Sequence, residues 1–149
     1  MPAWPPSPRW PWGATPAAAA PHRGPELVGA GDTSITLEFD DRLRSRVALR
    51  GVDVTRFDAG EALLVDGGAI DEFTYGGHET RRTRHSRHGA GVSVTVWGES
   101  ATGVRKTVEL TSYRRLTGMI VMKVTYTNGT GAPLAVTGWR SGAHELLEV

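Results

Sequence analysis

Apolar and polar residues alternate along most of the chain after about residue 31, and this period of two is typical of half-buried β-strands. In the segment SITLEFD, three apolar residues alternate with polar ones. Asp40 and Asp41 then predict a turn, and RLRSRVAL continues the alternation with Leu43, Val47 and Leu49 on one side. The two segments predict a first antiparallel hairpin.

Shorter and longer strand candidates follow. VDVTRF, EALLVDGG and AIDEFTY predict short strands, and Asp66 before the glycine pair of EALLVDGG predicts a turn. The pattern is clearer in GVSVTVWG, which puts its valines on one face of a strand, and in KTVELTSY, where Val108 and Leu110 face inward. These segments predict neighbouring strands of one sheet.

The strand MIVMKVTYTN is followed by a strong turn signal. Asn128-Gly129 is the dipeptide that best tolerates the positive φ angles of a tight hairpin turn. Pro133 comes next, where a missing backbone donor does least harm. The segment LAVTGW is therefore expected to return beside MIVMKVTYTN, and the final HELLEV is expected to begin another strand.

The fold class that these patterns predict is all-β. No window carries apolar residues at helical spacing over three turns, and strands at regular spacing with polar turns indicate an antiparallel β-sandwich. We expect residues 29–149 to form this sandwich, as part of a larger supersandwich. Residues 1–28 are rich in Pro, Trp and Ala, and proline removes a backbone donor. We expect that segment to be a disordered lead.

Composition excludes several classes of protein. With no cysteine among its 149 residues, the chain has no disulfide, no thiolate metal site and no cysteine nucleophile. This composition slightly favours a cytoplasmic location. The formal charge of +1 gives no global field for nucleic acid or an anionic membrane. No apolar run of about 18 residues is present, so no transmembrane helix is expected.

The segment GGHETRRTRHSRHGAG is the most unusual part of the sequence. His78, His85 and His88 suggest a metal triad, but the four arginines among them, Arg81, Arg82, Arg84 and Arg87, would repel a divalent ion. Nucleic-acid binding would need stacking aromatics, which are absent here. We expect a solvated loop or edge strand, whose arginines are candidates for docking an acidic partner.

Two tryptophans and one histidine are the candidate ligand-binding residues. Trp97 and Trp139 are candidates for stacking on a sugar ring, although large aromatic residues more often serve as core or interdomain anchors. Trp139 is the better candidate, because it precedes a small polar stretch that ends at His144. We predict no catalytic residue, no metal site and no cofactor from the residues themselves.

The second half of the chain also resembles a known family. The order of a G-x-S turn, the strands KTVELTSY and GMIVMKVTYTN, and the return APLAVTGW resembles the N-terminal β-sandwich that precedes the catalytic barrel of family 36-type α-galactosidases and their relatives. The likeness covers about residues 89–144. It makes the Asn128-Gly129 turn part of the structural framework.

The resemblance implies a division of labour. In those enzymes two aspartates on a (β/α)8 barrel act as nucleophile and acid/base, and no residue here matches either. The chain is therefore expected to be a non-catalytic portion of an α-galactosidase-like protein, inactive alone, that supports and lines the sugar site of the barrel. An α-galactoside would be its partner through the barrel, and the full-length enzyme could form a homo-oligomer. The alternatives are a stand-alone carbohydrate-binding module and an interaction domain that docks an acidic partner.

Overall fold

The computed structural model describes residues 28–84 and 86–148. The regular secondary structure of these residues consists of β-strands, and all strand pairs are antiparallel, so the prediction of an all-β sandwich is confirmed. Within these residues there is no helix, and so none long and apolar enough to cross a membrane. The strands are β1 (Val28–Gly31), β2 (Ile35–Phe39), β3 (Ser45–Leu49), β4 (Val52–Asp53), β5 (Ala62–Val65), β6 (Gly68–Ile70), β7 (Thr74–Thr83), β8 (Gly91–Glu99), β9 (Val104–Tyr113), β10 (Ile120–Asn128) and β11 (Val136–Arg140).

The strands form three sheets around one core. The orders are β1-β2-β3-β4, β10-β9-β8-β7 and β11-β5-β6. The long meander β7–β10 supplies half of the buried core residues, including Val94, Val96, Val108 and Leu110, which the sequence predicted to face inward. The other two sheets close over that face with residues such as Phe39 and Leu63. Burial of one apolar face from each sheet is the source of the sandwich's stability.

The predicted first hairpin is present, but its inward positions differ from the prediction in part. β2 pairs with β3 in register across the Asp40–Arg44 turn. Leu43 is buried from within that turn, at a φ of 52°, instead of from the strand. Leu49 is 45% exposed, because it ends β3 at a tight turn formed by Arg50 and Gly51 and so lies past the edge of the core.

The EALLVDGG prediction is confirmed at the local level. Val65 of β5 pairs with Gly68 of β6, so that Asp66 and Gly67 form a two-residue turn. AIDEFTY contributes the end of β6 and the start of β7, and VDVTRF contributes the two-residue strand β4. The prediction of AIDEFTY as one strand is wrong, because residues 71–73 separate β6 from the ten-residue β7.

The prediction that LAVTGW returns beside β10 is wrong. β11 pairs with β5 of the third sheet, and β10 is left as an edge of its own sheet. The side chain of Asn128 binds Thr130 and Ala132 within a wider loop, in which Gly131 instead of Gly129 takes the positive φ of 77°. Leu134 then packs against the core and carries the chain across the sandwich.

HELLEV forms less structure than predicted. Leu146 makes one isolated bridge with Thr55, and the Leu147 amide donates to Val54 O at 2.8 Å. No named strand includes these residues in the described part of the chain. The predicted lead, residues 1–28, lies outside the described residues except for Val28, which begins β1.

Candidate functional site

Trp139 lies on β11, at the edge of the third sheet and on the same side of that sheet as the buried Leu63. β11 pairs with β5, with Trp139 opposite Leu63, and the register shifts between Val136 and Gly138. The Trp139 side chain is 75% exposed, the most exposed large apolar residue in the described part of the chain. The interpretation of Trp139 as a core residue is therefore wrong, and its interpretation as an interdomain anchor stays a prediction. A tryptophan left in solvent loses the free energy of burial unless it binds something.

A shallow cavity lies beside this indole. Its volume is about 310 Å³, at the lower end of ligand-site sizes. It lies between the exposed edge strand β10 and the end of β11. We call this surface the Trp139 face; its lining residues are Leu63, Met122, Val124, Tyr126, Trp139, Arg140 and Ser141.

Two polar side chains line the Trp139 face. The Tyr126 hydroxyl is buried and has no hydrogen-bond partner among the described residues. Burial raises the pKa of Tyr126 well above 10.0, so the hydroxyl stays protonated at neutral pH and can donate. Arg140 is held by the Ala59 carbonyl oxygen at 3.0 Å and by the Asp71 carboxylate at 3.7 Å. The buried hydroxyl has no access for a ligand, so Arg140, which is exposed, is the polar group of this face that a ligand can reach.

Trp97 occupies a different environment. It lies on β8, partly buried against the backbone of Gly76 and Gly77 in β7. A Cβ atom added to Gly77 would come within 2.8 Å of Trp97 Cζ2. The two tryptophans therefore differ: Trp97 packs on its neighbouring strand, and Trp139 projects into solvent. A sugar contact at Trp97 stays a prediction without further support.

His144 belongs to a polar network inside the sandwich. Its Nε2 lies 2.8 Å from Ser45 Oγ, and that hydroxyl lies 3.2 Å from Glu61 Oε2. Lys106 Nζ contacts the same carboxylate oxygen at 3.4 Å and donates to the carbonyl oxygens of Leu43 and Glu61 at 3.3 Å each. Burial lowers the pKa of Lys106, and the Glu61 charge opposes that shift. The network joins all three sheets at one point.

This network has the residue types of a hydrolase site, but its serine is not accessible to a substrate. Ser45, Glu61 and Lys106 are all fully buried, so a substrate could not reach the hydroxyl. The carboxylate lies beside the serine and the lysine, whereas a catalytic triad needs a carboxylate that orients the histidine from its other nitrogen. We therefore interpret the network as a structural joint. His144 as a sugar ligand stays a prediction.

The arginine-rich segment forms part of the edge strand β7 and the loop after it. This agrees with the prediction of a solvated loop or edge strand. Alternation along β7 puts Arg81 and Arg82 on opposite faces. Arg81 lies 3.5 Å from Glu79, with both side chains exposed. Arg82 and Arg84 line a second, larger cavity, whereas Arg87 does not. The structure thus divides the four candidate docking residues into different settings.

The histidines of that segment do not converge. His78 Nδ1 lies 2.6 Å from Tyr75 Oη, and the His88 ring lies 5.3 Å from the Tyr113 ring. His85 lies outside the described residues. Among residues 28–84 and 86–148, no three His, Cys, Asp or Glu side chains form a group that could hold a metal ion.

Several residues of these surfaces are missing from the sequence-based candidates. Tyr126 looked like an ordinary inward position of β10, and Arg140 looked like part of a polar stretch. Arg114, in the turn after β9, lines the same cavity as Arg82 although 32 positions separate them. Only the pairing of distant strands brings these side chains to their sites, and no local pattern signals it.

Comparison of the chain with protein-family models, with curated proteins and with solved structures finds no match.

Proposed function

We propose that the chain is a non-catalytic β-sandwich module of an α-galactosidase-like glycoside hydrolase, and that its Trp139 face contacts carbohydrate. The observation that carries the proposal is the exposed indole of Trp139 beside a cavity that the exposed Arg140 also lines. The family assignment rests on the resemblance of residues 89–144 alone.

The chemistry of the Trp139 face suits a sugar. One face of a pyranose ring presents C–H groups that pack on an exposed indole, while its hydroxyls need hydrogen-bond partners at the rim. Met122 and Val124 give the cavity an apolar lining, and Arg140 offers donors. A flat aromatic residue with polar neighbours orders few rotatable bonds on binding, which keeps the entropic cost low.

In an α-galactosidase-like enzyme this module would support the barrel and line its sugar site, while the barrel would supply the catalytic aspartates. A stand-alone carbohydrate-binding module would use the same face in the same way. The burial of Ser45, Glu61 and Lys106 agrees with a non-catalytic role in either case.

The test is calorimetric titration of the full chain with methyl α-galactoside, methyl β-galactoside and methyl α-glucoside. Calorimetry is preferable to fluorescence because the chain contains five tryptophans. We expect saturable binding of the α-galactoside, weakened roughly tenfold or more by Trp139→Ala. Val136→Ala is the matched control, since Val136 is also exposed on β11 but does not line the cavity.

The sugar panel separates the forms of the proposal. Preference for the α-galactoside supports the α-galactosidase-like module, and equal binding of all three sugars supports a general carbohydrate-binding module. Absence of saturable binding, or binding that Trp139→Ala leaves unchanged, would refute the Trp139 face as a sugar site. We also expect no hydrolysis of an aryl α-galactoside by the chain, and turnover would overturn the non-catalytic assignment.

A further inference from the structure

A wide cleft lies at the end of the sandwich, away from the Trp139 face. Its volume is about 710 Å³. One wall is the turn between β1 and β2, and the other is the ends of β7, β8 and β9. We call it the basic cleft; it is lined by Gly31, Asp32, Thr33, Arg82, Thr83, Arg84, Ala90, Gly91, Val92, Ser112, Tyr113, Arg114 and Thr117.

Three arginines from two distant parts of the sequence meet in the basic cleft. Arg82 and Arg84 come from β7 and the loop after it, and Arg114 comes from the turn after β9. All three side chains are exposed. None of them forms an ion pair with a carboxylate in the described part of the chain. By contrast, Arg44, Arg46 and Arg81 each lie against an acidic side chain.

Asp32 is the acidic side chain among the lining residues, and backbone amides already engage it. Its carboxylate accepts hydrogen bonds from the amides of Ser34 at 2.7 Å, Ile35 at 3.1 Å and Gly118 at 2.7 Å. The Gly118 amide and the other two hold the pKa of Asp32 below its ordinary value of 3.8. The Gly118 bond ties the two walls together. The cleft therefore keeps a net positive charge.

We propose that the basic cleft binds a small polyvalent oxyanion, a molecule carrying two or more phosphate or sulfate groups. Guanidinium groups bind such oxyanions through paired N–H donors. Sites for small molecules occupy about 300–1,000 Å³, and the cleft falls within that range. If Arg82 and Arg84 were only part of a solvated charged strand, there would be no reason for the distant Arg114 to line the same cleft. This proposal is independent of the sugar site at Trp139.

The test is calorimetric titration of the full chain at two salt concentrations with pyrophosphate and with a disulfated disaccharide. The stronger of the two identifies the phosphate or the sulfate source. We expect Arg82→Gln and Arg114→Gln each to weaken binding roughly tenfold or more, since each removes a charge-assisted contact. Arg81→Gln is the matched control: it removes the same charge from the adjacent position on the opposite face of β7, and we expect less than about a twofold change.

Other outcomes would overturn the proposal. If neither probe binds saturably, the cleft is not an oxyanion site. If Arg81→Gln weakens binding as much as Arg82→Gln, the interaction is diffuse attraction by the arginine-rich edge. If an acidic peptide binds with the dependence on Arg82 and Arg114 while both small probes fail, the occupant is a protein segment. Thermal unfolding of each variant would verify that the sandwich is intact, which the exposure of these side chains leads us to expect.

Discussion

Replacing Lys106 with Met would test the buried joint between the sheets. Lys106 and Glu61 are both fully buried, with Nζ 3.4 Å from Oε2. The ammonium group also donates to two carbonyl oxygens and lies 5.3 Å from the centroid of the Phe73 ring. Methionine would keep most of the apolar stem but would leave Glu61 buried without a cation.

The expected loss is large compared with the stability of a domain. Removing one partner of a buried ion pair costs about 3–5 kcal/mol, because the remaining charge keeps its desolvation penalty. A whole domain is stable by only about 5–15 kcal/mol. Converting Glu61 to Gln as well removes the stranded charge and keeps a partner for Ser45. We therefore expect Lys106→Met with Glu61→Gln to be more stable than Lys106→Met alone.

The assay is urea unfolding of the full chain, with the wild type, both single variants and the double variant forming a thermodynamic cycle. Arg81→Ala is the control, since its pair with Glu79 is exposed and we expect a change within about 0.5 kcal/mol. A change below about 1 kcal/mol for Lys106→Met would refute the reasoning. So would a double variant no more stable than that single one.

The same variants also test how the free energy of unfolding depends on pH. The folded-state pKa of Lys106 lies below its ordinary value of 10.5, so the unfolded chain binds more protons between those two values. The free energy of unfolding of the wild type, relative to the double variant, should therefore rise as the pH increases towards 10.5. The raised pKa of Tyr126 acts in the opposite direction above about pH 10, and the Glu61 charge contributes to it, so the two proteins are compared below pH 10. A flat or falling difference would contradict the assignment.

Three further substitutions test local packing by chemical denaturation. Gly77→Ala should destabilise the fold by about 2 kcal/mol or more, because φ is 148° and the new Cβ would clash with Trp97. Gly68→Ala is the control and should be nearly neutral, because a Cβ there would have no atom within 4 Å. Equal effects of the two substitutions would contradict this prediction. Tyr126→Phe should change stability by no more than about 1 kcal/mol, since the hydroxyl has no partner to lose, and a larger loss would reveal one. Leu43→Ala should lower the free energy of unfolding by about 2–5 kcal/mol, because the side chain is fully buried. A loss below about 1 kcal/mol would show that the turn rearranges to fill the cavity.

Local patterns were sufficient for the strands and for several turns. Alternation in β9 and β10 identified the inward residues correctly, since a strand with one buried face must place its apolar side chains at every second position. In β8 it was correct for Val94 and Val96 but wrong for Val92, which is 39% exposed at the end of the sheet. Asp66 and Gly67 form the predicted turn between β5 and β6, because those residue types tolerate its backbone angles. The arginine-rich segment was expected as a solvated loop or edge strand, and it forms an edge strand.

Local patterns failed where a long-range choice decided the structure. Asn128-Gly129 permits a tight hairpin, but the core accepts Leu134 and the β5 edge accepts β11, so the chain crosses to another sheet. Leu49 alternates correctly, yet it lies beyond the edge of the core. The α-galactosidase-like assignment stays a prediction, since a similar order of strand sequences identifies no catalytic residue.

The amino-acid sequence by itself therefore determined the all-β class, the antiparallel strands and the faces they bury, because these depend on residues two positions apart. The tertiary structure alone decided which strands pair at the sheet edges, that Trp139 is exposed while Trp97 is half-buried, and that Arg114 joins Arg82 in one cleft. Those features depend on free-energy differences between alternative pairings of distant segments, and such differences leave no periodic mark in the sequence.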